Sequence, residues 1–358
     1  MQSDILSAIP VPLLNWYHQN SRPLPWRDPI VPYHTWISEI MCQQTRIDAA
    51  IGYYHRFLET LPTIAALADA PEQQLLKLWE GLGYYNRARN LQKAAQIIVR
   101  DYGGELPADY EQLQALPGIG RYTAGAIASI AFSIPVPAVD GNVLRVLSRV
   151  LNSTENVSRP QTKKQFEETL TALLQTEPAK SAVGDFNQAL MELGALVCIP
   201  NGAPKCLTCP LQHFCQGYAS GTAESLPVKD EKKARKVQKK TVFVLQCGDH
   251  FALHKRADTG LLASLWEFPN LDETISKANV PAALQSWRLT AHKIERLGKA
   301  KHIFSHIEWN MTGFLVQVEQ TAPVKDWVWV SRAQLQKDYP LPSAFDAFKR
   351  TVETHFTD

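Results

Sequence analysis

With 358 residues, 45% of them hydrophobic and 20% charged, the chain has enough length for two domains with separate cores and too much apolar content for disorder. Its formal net charge of +2 is no nucleic-acid signature in itself. The first residues, MQSDILSAIPVPLLNW, lack the basic flank, long apolar core and small-residue cleavage site of a signal peptide, and the other uncharged run (122–139) is broken by two prolines; a soluble, intracellular protein is expected.

Up to about residue 218 the segments have helical period and length. ISEIMCQQTRIDAAIGYYHRFLETL (37–61) is one such segment, and in TWISEIMCQQT (35–45) Trp36, Ile37, Ile40 and Met41 recur as a core face, while Glu39 and Gln43 share a different one. Helical period returns in EQQLLKLWEGL (72–82) and NRARNLQKAAQIIVRDY (86–102). LPGIGRYTAG (116–125) then places Gly118 and Gly120 at a sharp connection between two helices, where amides at a helix start point outward and suit a phosphate. That is the helix-hairpin-helix pattern of non-specific DNA binding, although a plain helix connection has the same signal. The run 122–139 reads as a buried helix followed by an extended segment. Asp140 stands immediately before the apolar-periodic helix of AVDGNVLRVLSRV (138–150), in an N-cap position, and KKQFEETLTALLQ (163–175) is again helical.

Four of the six cysteines follow in CIPNGAPKCLTCPLQHFC (198–215), separated by seven, two and five residues. In a reducing compartment such a group suits a metal better than a disulfide framework. Zinc modules usually pair their ligands as two knuckles, and only Cys206 and Cys209 are spaced that way. One loop carrying Cys198, Cys206, Cys209 and Cys215 favours a [4Fe-4S] cluster over zinc, with a disulfide pair as the third reading. Cys42 and Cys247 sit among apolar residues and read as core.

Residues 229–240, KDEKKARKVQKK, hold seven basic and two acidic side chains without apolar periodicity, which describes a solvated linker able to track phosphates. From residue 241 short alternating runs take over, TVFVLQC, HFALHKR, HIFSHIEWNMTGFLVQVEQ and DWVWV, before a closing helix near SAFDAFKRTVETHF (343–356). The expected organisation is multidomain: an all-α domain over 1–221, a basic linker over 222–240 and an α+β domain over 241–358.

LPWR (24–27), SEIMCQQT (38–45), GLGYYNRARNL (81–91), LPGIGRYTAGAI (116–127), VDGNVLRV (139–146) and FNQALMELGALVC (186–198) together resemble the endonuclease III superfamily of helix-hairpin-helix DNA glycosylases and, within it, the MutY family of adenine glycosylases. GLLASLWEFPN (260–270) and the strand order after it resemble the MutT-like, or Nudix, fold, but no Arg-Glu-x-x-Glu-Glu helix follows to bind magnesium, which points to recognition rather than hydrolysis.

The resemblance implies a reaction. Cleaving an N-glycosidic bond needs an acid to improve the leaving base and a negative charge to stabilise an oxocarbenium-like sugar. By this resemblance Glu39 protonates adenine N7, Asp140 holds the cation, and Tyr122 and Asn142 support them. To act as an acid near neutral pH, Glu39 needs a pocket that raises its pKa. Tyr122 stands where bifunctional relatives carry a Schiff-base lysine, so the product is expected to be an abasic site.

The substrate implied is double-stranded DNA with adenine opposite 8-oxoguanine, bound by a monomer with the base flipped out. Gln44 and Tyr84 would wedge into the stack, Thr45 and Leu82 would contact the opposing base, and Trp26, Arg27, Ile47 and Gln188 would line the adenine pocket. Phe304, Ser305 and His306 match the loop that tells 8-oxoguanine from guanine. The resemblance also implies a [4Fe-4S] cluster and a bacterial-type cytoplasmic location at the nucleoid. One departure from the family is the seven-residue first cysteine gap with a single basic side chain, Lys205, where relatives have six residues and more positive charge. Two other readings stay open: a bifunctional glycosylase of oxidised pyrimidines, and a non-catalytic iron-sulfur protein that binds DNA.

Overall fold

A computed structural model describes residues 2–231 and 234–354. The chain folds as two compact units, Met1–Asp69 with Asn90–Glu231, and Ala70–Arg89 with Lys232–Asp358. The inclusion of 70–89 in the second unit differs from the expected single helical domain over 1–221. Among the described residues, no helix is long and apolar enough to cross a membrane.

The first unit is helical. Helices Pro10–Asn20, Gly141–Val150, Pro160–Leu173 and Val183–Leu196 meet around Ile9, Leu13, Val143, Leu147, Leu170, Phe186 and Leu190, all buried, and the cysteine loop packs on the edge of this core through Cys198, Cys209 and Cys215. Aliphatic burial of this extent is the main stabilising contribution, roughly 1.5–3 kcal/mol for each large side chain removed from water. The segment expected to be helical over 37–61 is two helices, Pro32–Cys42 and Ile47–Thr60. They are separated where Gln44 turns through a left-handed φ of 58°. The run after residue 122 is the helix Arg121–Phe132 followed by chain without regular secondary structure.

The second unit is built on a seven-stranded mixed sheet: β1 (Lys236–Cys247), β2 (His250–Lys255), β3 (Trp266–Glu267), β4 (Asn270–Leu271), β5 (Ala291–Ile303), β6 (Ile307–Val318) and β7 (Trp327–Ser331). The main order is β3-β2-β1-β6-β5; β1 and β6 run parallel and the other pairs antiparallel. Strand β1 begins at Lys236, inside the stretch expected to be linker, because its parallel pairing with β6 continues to Lys236 opposite Ile307. Sequence reading also placed no strand over β5, whose many charged residues hide the alternation.

Candidate active site

Helix Pro32–Cys42 buries Trp36, Ile37, Ile40 and Met41, which leaves Glu39 on another face. There the Tyr122 hydroxyl, on the first turn of Arg121–Phe132, donates to Glu39 Oε2 at 2.6 Å and lies 3.2 Å from Met191 Sδ. Gln43 Nε2 donates to Thr123 Oγ1 at 3.2 Å and ties the same two helices. The residue as a whole is half-buried. Burial pushes Glu39 from its ordinary 4.5 up to about 7, against the Tyr122 hydrogen bond, with the Asp140 charge adding to burial and the Arg27 charge opposing it. Burial first, then the neighbouring carboxylates, holds the Tyr122 phenol well above 10, so it remains a donor.

Asp140 is the N-cap of Gly141–Val150. One carboxyl oxygen accepts from the backbone of Asn142 and Val143, both at 2.8 Å, and the other from Asn142 Nδ2 at 2.7 Å. Burial pushes its pKa up, but all three donors and the Arg145 charge favour the ionised form. The two carboxyls thus lie in contrasting surroundings: Glu39 has the Tyr122 donor in a dry setting, and Asp140 has three. Burial raises both, and the extra donors favour the ionised form more at Asp140 than at Glu39.

Asn142 is held in turn. Its Oδ1 accepts from Arg145 Nη2 at 2.7 Å, and Arg145 also donates to Gly194 O at 2.8 Å and, through Nε, to Cys198 O at 2.7 Å. A chain of hydrogen bonds therefore runs from the Asp140 carboxylate to the backbone of the first cysteine. Gly194 leaves room for it, since a Cβ there would sit 2.6 Å from Asn142 Cβ. Sequence reading did not single out Arg145 or Gly194, although Arg145 and Arg149 among the apolar residues of this helix are a signal of buried partners.

Around this pair, Arg27 donates to Gln188 Oε1 at 3.1 Å and to Glu192 Oε2 at 2.9 Å, and Arg22 Nε donates to Glu192 Oε1 at 2.7 Å. Burial works to raise the pKa of Glu192, yet the two arginines hold it below the usual range, so it stays an anion that fixes Arg27. Trp26, 8% exposed, packs edge-on against Tyr54 with ring centres 5.2 Å apart. Gln44 is exposed on its left-handed turn, Thr45 lies beside it, and Ile47 opens the next helix. In the hairpin, Gly118 has φ 78°, Ile119 is buried as the anchor, and Gly118 and Gly120 are exposed. Gly120 caps Arg121–Phe132 without a side chain, so the first amides of that helix have no side-chain cap.

Cys198, Cys206, Cys209 and Cys215 line one cavity together with Arg149, Leu193 and Leu211. Arg149 Nη1 donates to Cys198 Sγ at 3.3 Å. Among the described residues no three His, Cys, Asp or Glu side chains are grouped to hold a single metal ion. Four sulfurs around a shared cavity fit a multi-iron cluster better than one zinc ion. Burial pushes the Cys209 thiol up to about 12 and raises Cys206 and Cys215 as well, so thiolate ligation there requires a strongly positive partner.

The remaining expected residues lie in the second unit. Leu82 is 7% exposed, as buried as Trp26 and Gln188 of the expected base pocket. Tyr84 is 48% exposed at φ 47°, and its hydroxyl meets Ser305 Oγ at 2.7 Å. Phe304, Ser305 and His306 form the turn between β5 and β6. Phe304 is seated against Trp309 at 4.8 Å and His302 at 4.5 Å between ring centres, while Ser305 and His306 face solvent. Trp309 is fixed beneath by Gln238, which accepts from its Nε1 at 2.8 Å, and by Lys240 4.6 Å from the ring centre.

Known proteins resemble the chain in both units. Residues 37–175 match the model of the HhH-GPD superfamily base excision DNA repair protein, and residues 241–350 match the NUDIX domain. The adenine DNA glycosylase of Mus musculus is 36% identical over 373 residues, covering 87% of this chain and 72% of the mouse protein. That of Homo sapiens is 34% identical, covering 96% and 73%. That of Buchnera aphidicola (subsp. Baizongia pistaciae) is 37% identical, covering 82% of each. Among solved structures, a thermostable thymine-DNA glycosylase superposes with TM-score 0.54 and 26% identity over 61% of this chain and 97% of its own. A non-covalent endonuclease III–DNA complex does so with TM-score 0.50 and 25% identity, over 60% and 97%.

Proposed function

Since the chain belongs to the adenine DNA glycosylase family, a base-excision-repair enzyme family, we propose that it removes adenine paired with 8-oxoguanine, or with guanine, from double-stranded DNA and leaves an abasic site. The observation that carries this reading is the Tyr122–Glu39 hydrogen bond beside Asp140.

In the reaction, the protonated fraction of Glu39 donates to the departing base, which leaves with the bonding electron pair. The sugar develops positive charge next to Asp140, whose geometry is set beforehand by Asn142 and the helix amides, so little reorganisation is needed as the charge appears. Water then adds its oxygen to the cationic sugar carbon and its proton passes to the Glu39 carboxylate, which restores the acid. Tyr122 holds the Glu39 carboxyl in place and offers no amine for a covalent Schiff base, which supports a monofunctional reaction over the bifunctional alternative. Arg27, fixed by Glu192 and Gln188, and Trp26 suit the walls of a pocket for a planar base. Gln44 and Tyr84, both on left-handed turns, suit insertion into a base stack. Ser305 and His306 suit hydrogen bonding to the opposing base, with Phe304 as their anchor.

The four cysteines would hold a [4Fe-4S] cluster, which supplies a rigid, charged staple for the loop; the residues that do the chemistry lie outside it. The readings of monomeric state and of a cytoplasmic, nucleoid-associated location belong to the same proposal.

The test is single-turnover cleavage of a labelled duplex with one adenine opposite 8-oxoguanine, with and without alkali. Strand breaks only after alkali are expected. Breaks without alkali would overturn the monofunctional reading, and intact DNA in both lanes would overturn the catalytic one.

A further inference from the structure

The two faces of the sheet in the second unit are covered differently. One is sealed by Val242, Val244, Trp309, Met311 and Leu315 under the C-terminal residues Phe348 and Val352. On the other, Phe243, Leu245, Phe314 and Val316 pack with Val280 and Leu284 of the short helix Val280–Gln285. That apolar cover does not extend to the end of β5 and β6 that carries the Phe304–His306 turn.

On the bare end stand three lysines. Lys239 of β1 is opposite Asn310 of β6, which is opposite Lys301 of β5, and Lys299 is opposite Thr312 one pleat further on. Side chains alternate along a strand, so this register puts Lys239, Lys299, Lys301, Asn310 and Thr312 on one face. All three lysines are exposed, and with Thr274 they line a groove of about 510 Å³. Strand geometry spaces Lys299 and Lys301 by roughly 7 Å and Lys239 and Lys301 by roughly 10 Å at their Cα atoms. Lys301 pairs with Glu308 at 2.9 Å on the same face; among the described residues, no carboxylate pairs with Lys239 or Lys299.

Ammonium groups clustered on an uncovered sheet face repel one another unless a polyanion lies across them. The groove contains no aromatic side chain of the kind that anchors a protein partner, while Asn310 and Thr274 supply neutral donors for phosphate oxygens. We propose that Lys239, Lys299 and Lys301 form a phosphate-binding strip for one DNA strand, continuous with the turn at Phe304–His306 and carrying no sequence information. This rests on the reading of the chain as an enzyme of duplex DNA.

The experiment compares the full-length protein, carrying its cluster, with a triple variant, K239A/K299A/K301A, and with the corresponding triple arginine variant. Equilibrium binding is measured by anisotropy over a salt series, with one duplex containing adenine opposite 8-oxoguanine and one undamaged duplex. Counterion release at about 0.9 per neutralised phosphate predicts a log-log salt slope shallower by roughly 2.7 in the alanine variant, so that a fourfold rise in salt costs the wild type roughly 40 times more affinity than the variant. The change is the same for both duplexes, and the arginine variant restores the wild-type slope. A wild-type slope in the alanine variant, or a loss confined to the lesion duplex, overturns the strip. A wild type that binds neither duplex instead overturns the DNA-enzyme reading on which it rests.

Discussion

Burial raises Glu39 to about 7, and the same burial works against the fold. An ordinary glutamic acid at 4.5 is about 0.3% protonated at pH 7, whereas at about 7 it is half protonated, so the site multiplies the acid form roughly 150-fold. The sign for stability follows. A carboxyl whose folded-state pKa is raised costs nothing below the unfolded value, begins to cost as pH rises past about 4.5, and reaches its full cost above about 7. At 1.36 kcal/mol for each tenfold change, that cost is about 3 kcal/mol. Glu39→Gln keeps an acceptor for Tyr122 and removes the titration. We expect it to abolish adenine excision, with the variant more stable than the wild type by about 3 kcal/mol at pH 8 and by less than about 1 kcal/mol at pH 5. The assays are single-turnover excision from pH 5.5 to 9, and thermal unfolding of both proteins at pH 5 and 8. Wild-type excision is expected to fall about tenfold per pH unit above 7. A flat wild-type profile from pH 6 to 8, or an equal stability difference at both pH values, would refute the assignment of Glu39 as the buried acid.

Three further outcomes follow from the same geometry. Tyr122→Phe removes the hydrogen bond that lowers the Glu39 pKa, so the alkaline limb of the excision profile should move to higher pH; a limb that stays or moves down contradicts the role assigned to the hydroxyl. Asp140→Asn retains an N-capping oxygen but loses the charge, so melting should change little, by about 1 kcal/mol at most, while single-turnover excision falls by about two to three orders of magnitude. Gly194→Ala would drive a methyl against Asn142 and displace the support of Asp140; a loss of about 1–3 kcal/mol in unfolding, with reduced excision, is expected.

Much of this was legible in the sequence where the physics is local. Asp140 caps its helix through amides two and three residues away, the Gly118 turn is a backbone requirement, and the core face of Trp36, Ile37, Ile40 and Met41 follows from helical period. The family resemblance rests on such contiguous motifs. What the sequence by itself left undecided depends on partners far along the chain. Glu39 looks like solvated helix surface until Tyr122, 83 residues away, closes over it, and Arg27 acquires its setting only from Gln188 and Glu192. Residues 236–240 read as linker because their composition is basic, and they are strand because β6, some seventy residues later, offers a parallel edge. The lysine strip exists only in that register. Lysine and glutamate are depleted in strands by local preference, so here pairing and burial decide the structure, and those are properties of the tertiary fold.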